Sequence, residues 1–182
     1  MNTANIPAPI SYETRVRTIN DEEIHLPGSR AGDTCNLSTG EVNVARMVDG
    51  VRYDTAHATL IIGAGEYFGN GSYGLCRLYR TDDGKFFHLL MVWTLAGTAV
   101  DLTVITANDD LGVLQIAQVL LPDRDVVGFL RDWYCAGLLP IDDDFVKEWA
   151  ESALPADECQ EVMVALGNRY SPRADVPPAT DA

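Results

Sequence analysis

Residues 11–18 alternate Tyr12, Thr14, Val16 and Thr18 with Glu13, Arg15 and Arg17, the two-residue period of a strand with one buried face. That pattern predicts the first strand. Apolar residues at 44–48 and 51–53 flank Asp49-Gly50, a dipeptide suited to a two-residue hairpin because both central positions take positive φ. Asp54 or Thr55 then caps a short helix predicted over residues 56–62, closed by Gly63 and Gly65. The segment GEYFGNGSYG that follows reads as a glycine-rich loop carrying three aromatics. A second hairpin joins residues 75–80 to 85–92 across Thr81-Asp82-Asp83-Gly84, and the β-branched run at 100–106 adds a strand before a turn or cap at 108–110.

Periodicity then becomes helical. VLQIAQVLL, at 113–121, fits a strand or a buried helix; the expectation is a strand, ended by Pro122. Acids at 123–125 open a helix reaching about Cys135, with Val126, Val127, Leu130 and Tyr134 on one face and Gly137 as its stop. Pro140 and residues 142–144 start the best-patterned helix, whose buried stripe is Phe145, Val146, Trp149, Ala150, Ala153 and Leu154. After Pro155, a helix over 156–166 turns Cys159, Val162, Met163 and Leu166 inward and ends at Gly167. Residues 1–10 read as a flexible lead-in, 19–43 mainly as loop, and the proline-rich 168–182 as a disordered tail. Together these elements predict an α+β fold: an antiparallel sheet built from hairpins, with short helices packed on one face. Residues 11–167 are expected to form a single domain, with a hairpin–helix–hairpin core at 44–92 and an acidic helical part at 123–167.

Composition narrows the function class. The chain has 182 residues, 47% of them hydrophobic, and no apolar run approaches the roughly 20 residues that span a bilayer. Its first residues lack the basic start and apolar stretch of a secretory signal, so the expected location is the cytoplasm, for a mobile-element protein that of the bacterial host. Cys35, Cys76, Cys135 and Cys159 are irregularly spaced, a pattern of reduced, mostly buried thiols rather than a zinc module or disulfide framework.

Charge is the strong signal. The formal net charge is −14, and residues 101–182 hold 16 acids against 5 bases, whereas residues 1–100 hold 11 against 8. Such a surface disfavours direct binding to nucleic acid or an anionic membrane, which require clustered Lys and Arg, and complements a basic partner. Asp142, Asp143, Asp144, Glu148, Glu151, Asp157, Glu158 and Glu161 are eight acids in twenty residues whose one base is Lys147. On two adjacent helices they recur at i, i+3 and i+4, about 5–6 Å apart, an array able to imitate a nucleic-acid backbone. The plain alternative is a solvated face.

GVRYDT at 50–55, LYRTDDGKFF at 78–87 and a later acidic helix containing Trp149-Ala150-Glu151 together resemble a family of small, mostly uncharacterised proteins encoded on bacterial phages, plasmids and other mobile elements. The shared pattern is GxxYDT, then LYRTxxGxxF, then a proline, acids and WAE. The resemblance implies an architecture and a mobile-element origin, and suggests an anti-CRISPR or other anti-defence role.

Motifs for chemistry are sparse. GAGEYFG lacks the GxGxxG and GKS/T patterns of nucleotide sites and reads as a chain reversal. His57, Cys76 and His88 lie in one module and form the only nucleophile-and-base candidate, each also explicable as a structural position. Consecutive acids at 142–144 point in different directions from a helix start, which suits capping better than metal binding. No catalytic residue, cofactor or metal is expected. Tyr67, Phe68 and Tyr73 either present a contact surface or tuck into the sheet. The expected function is therefore that of a non-enzymatic binding protein of a mobile element. It would block a basic, nucleic-acid-binding surface of a host defence complex such as a CRISPR effector, through the eight carboxylates with Tyr67, Phe68 and Tyr73. The alternative is a structural or accessory protein that assembles with itself or with other proteins of the element.

Overall fold

A computed structural model describes residues 7–13, 25–27, 32–36, 39–67, 72–94, 102–121, 123–134, 137–139 and 141–170. The fold is α+β, and the chain divides into two compact units, Met1–Pro122 and Asp123–Ala182.

In the first unit the strands are β1 (Ile10–Glu13), β2 (His25–Pro27), β3 (Thr34–Asn36), β4 (Glu41–Asn43), β5 (Ala45–Val48), β6 (Val51–Asp54), β7 (Ala58–Tyr67), β8 (Ser72–Thr81), β9 (Phe86–Thr94) and β10 (Leu102–Asn108). They make a five-stranded sheet in the order β1-β7-β8-β9-β10, a three-stranded sheet β2-β3-β4 and the hairpin β5-β6. All pairs are antiparallel except β1 with β7, where Ile10 pairs with Ile62. The predicted first strand is therefore present over its first residues, and positions 14–18 lie outside the described residues, as do residues 1–6 and the tail from 171.

Two predictions need correction and one gains detail. Within residues 19–43, read as mainly loop, His25–Pro27, Thr34–Asn36 and Glu41–Asn43 pair into a sheet, while 19–24, 28–31 and 37–38 lie outside the described residues. These strands are three residues each, too short to leave a period among the Gly, Ser and Asn around them. The short helix at 56–62 is a single 3-10 turn, Thr55–His57, after which the chain extends into the ten residues of β7. The cap itself is as predicted: the Asp54 side chain accepts the Ala56 N–H. Burial favours the extended form, since Ile61 is the extra residue of a β-bulge between Leu60 and Ile62, and Ile61 and Ile62 are both fully enclosed. Residues 113–121 are not a strand: 113–120 lie in α1 (Asp110–Leu120) and Leu121 is its C-cap, while Asp109 caps the start by accepting the Gly112 N–H at 2.8 Å.

The two hairpins behave as read. Asp49 and Gly50 have φ of 49° and 77°, and Gly84 closes the second turn at 85°. Alternation along β8 and β9 sends Tyr73, Leu75 and Tyr79 with Phe87, Leu89, Met91 and Trp93 to one side, where they pack with Ile105 against Cys35, Val42, Val44 and Tyr53 of the smaller strands. The other side carries the buried Leu78 and Phe86, and α1 lies across β7 to β10 with Val113, Leu114 and Ala117 buried.

Two charged anchors fix the small strands. Arg77, in β8, points inward and donates to the Gly40 carbonyl at 2.7 Å. Arg46 grips the buried Asp33 with both terminal nitrogens, at 2.7 and 2.5 Å. Thr55 completes the arrangement: its hydroxyl donates to the Val42 carbonyl and accepts the Val44 N–H, at 2.8 and 2.9 Å. The Asp-Thr pair of the GVRYDT motif is thus a cap followed by a stitch.

The second unit is helical: α2 (Asp123–Phe129), continuing into a π-helical turn at Leu130–Tyr134, then α3 (Asp143–Ala153) and α4 (Ala156–Tyr170). Val126, Val127, Leu130 and Tyr134 are buried as their spacing predicts, and Gly137 takes the left-handed φ of 75° after the π-helical turn. Asp142 caps α3 by accepting the N–H groups of Asp144 and Phe145. Gly167 does not end α4, which runs on to Tyr170, so residues 168–170 are helix rather than tail.

Candidate interaction site

α3 and α4 pack together, and Val146, Trp149 and Ala150 of α3 with Val162 and Leu166 of α4 are the buried positions that orient their charged faces outward. Of the eight predicted carboxylates, Asp142, Asp144, Glu148, Glu151, Asp157 and Glu161 are exposed, while Asp143 and Glu158 are half-buried. Three of the eight have local duties. Asp142 holds the helix start, Asp143 accepts the Tyr134 hydroxyl, and Asp144 is paired with Lys147 at 3.1 Å.

The remaining exposed acids, Glu148 and Glu151 on α3 with Asp157 and Glu161 on α4, have no ion-pair or hydrogen-bond partner among the described residues. They are separated by three residues on α3 and four on α4, so each pair sits on one helix face. This sharpens an eight-residue expectation to four carboxylates whose acceptor capacity is unused by the fold.

Of the aromatics expected at the contact surface, Tyr73 is placed in the core instead. Tyr73 is only 4% exposed, its ring 4.6 Å from that of Trp93. Tyr67 is the last residue of β7 and pairs with Tyr73 by backbone register, so the segment is largely strand. Phe68 lies outside the described residues. Gly65 explains part of the pattern, because a Cβ there would come within 2.6 Å of the Tyr73 hydroxyl and 3.1 Å of the Gly74 carbonyl.

The Cys/His candidate does not converge. His57 sits beside Asp54 at the start of β7, whereas Cys76 is opposite Ala64, six residues further along that strand and roughly 20 Å away at the usual rise. Cys76 and His88 are diagonal neighbours on β8 and β9, and the His88 ring bonds to Asn108 instead. Burial pushes the Cys76 thiol up to about 11, which keeps it protonated at neutral pH and unfit as a nucleophile. No group of three or more metal-ligating side chains converges among the described residues, and none of their helices is long and apolar enough to cross a membrane. Cys35, Cys76 and Cys159 are free thiols, and Cys135 lies outside the described residues.

What sequence reasoning missed is the pair of buried charges. Arg77 was findable, since it occupies an inward position in the alternation Tyr73, Leu75, Arg77, Tyr79. Asp33 sits outside any periodic segment and left no signal. In comparison with known proteins, the chain matches no family model, no curated protein and no solved structure.

Proposed function

We propose that this protein is a non-enzymatic acidic binding protein of a phage or other mobile element. It occupies a Lys/Arg-lined, nucleic-acid-binding surface of a host defence complex, of the kind a CRISPR effector presents. The supporting observation is the set of four exposed, unpaired carboxylates, Glu148, Glu151, Asp157 and Glu161, on two packed helices of a half-chain in which acids outnumber bases 16 to 5. Such an array steers association through the solvent and then replaces phosphates in the groove. Binding should weaken as salt rises and compete with duplex DNA, and Glu148→Gln, Glu151→Gln, Asp157→Asn and Glu161→Gln together should abolish it without unfolding the helices. A complex indifferent to salt, duplex and the four substitutions overturns the proposal.

One observation favours a second reading, self-assembly within the element. β10 ends the large sheet, contains no charged residue, and exposes Leu102 and Val104 beside the exposed Leu90 of β9. Light scattering separates the two: a stable homo-oligomer that captures no basic partner supports assembly.

A further inference from the structure

The two hairpin motifs meet at a cleft of about 410 Å³ lined by Val51, Arg52, Asp54, His57, Thr81 and Asp83. Its carboxylates are already engaged. Asp54 accepts the Ala56 N–H at 3.1 Å, Arg52 at 2.8 Å and the His57 Nδ1 at 3.2 Å, and its side chain is only 15% exposed. Asp83 accepts the Thr81 hydroxyl at 2.5 Å and Lys85 at 2.9 Å. The donors are not exhausted. Arg52 and His57 are 68% and 81% exposed, and beyond their bonds to Asp54 neither has a partner among the described residues. With Nδ1 turned to Asp54, the His57 Nε2 faces solvent, and Lys85 keeps N–H groups beyond its single bond to Asp83.

Asp54 therefore acts as an orienting group, holding a guanidinium and an imidazole side by side with their outer N–H positions presented to the cleft. We propose that this cleft binds the oxyanion of a small molecule, a phosphate or carboxylate, between Arg52 and His57, with Val51 as an apolar wall for the attached carbon skeleton. The site is independent of the acidic helices, and its ligand is of opposite charge to the partner proposed for them.

Sulfate is the suitable probe because it carries the oxyanion without a carbon skeleton. Amide and imidazole NMR shifts should be followed in the full chain as sulfate is titrated at fixed pH, with chloride at matched ionic strength. The expected result is saturable shifts confined to Arg52, Asp54, Ala56, His57 and the residues around Lys85. Arg52→Gln should weaken sulfate roughly tenfold, and His57→Gln should weaken it as well, with the sheet's other shifts unchanged. Equal shifts with chloride, or equal sulfate affinity in wild type and both variants, overturns the proposal.

Discussion

Thr55 shows how one hydroxyl organises a neighbourhood. It is buried and satisfies the Val42 carbonyl and the Val44 N–H at once, so Thr55→Val keeps the shape while leaving both backbone groups unpaired. We expect a loss of about 1–3 kcal/mol in urea denaturation, with Thr55→Ser recovering most of it. Asp54 carries a pH signature instead. Partial burial works against its charge, but Arg52, the Ala56 N–H and His57 outweigh it and hold the carboxylate below its usual range. A depressed folded pKa means that its contribution is present above the unfolded value of about 3.9 and disappears as pH falls through the folded value. Asp54→Asn should therefore lose stability relative to wild type at pH 6 and converge with it by about pH 2. A gap of constant size would contradict the linkage. Asp110 has the opposite sign, since burial and Asp109 raise it, so wild type gains from its protonation over a partly overlapping range; the comparison with Asp54→Asn cancels that effect.

Element identity was legible where local chemistry and burial agreed, and failed where they diverged. Asp49-Gly50, the second hairpin and α3 combine turn or cap residues with a clear period, and all three form. In α1 only Val113, Leu114 and Ala117 are buried among its apolar side chains, while Leu111 and Val119 are exposed. With Val119 apolar on the outer side, the period at 113–121 fits a strand as well as a helix, and Pro122 tips the reading toward a strand. Gln115 is an exposed interior position of α1, so Gln115→Pro should cost about 3 kcal/mol or more by removing a helical N–H and clashing with the preceding turn. Gly167 was a stop signal by composition, yet α4 passes through it with no positive φ and open space where a Cβ would stand. Gly167→Ala should accordingly stabilise the second unit by about 0.5–1 kcal/mol, measured by thermal unfolding. At a true left-handed stop the same change would destabilise.

For the whole molecule, the charge asymmetry was fully legible, because it depends on composition alone. Which acids remain available was not, since that depends on tertiary partners: Tyr134 for Asp143, the α3 start for Asp142 and Lys147 for Asp144. The burial of Tyr73 was not legible for the same reason, as Trp93 lies twenty residues beyond it and reaches it only across the sheet. The most direct test of the central claim is displacement of labelled duplex DNA from a purified CRISPR effector by this protein, measured between 50 and 200 mM salt. The account predicts displacement at low salt, a loss of roughly tenfold or more across that range, and no displacement by the variant lacking the charges of Glu148, Glu151, Asp157 and Glu161. Equal displacement by that variant, or displacement that salt does not weaken, would contradict it.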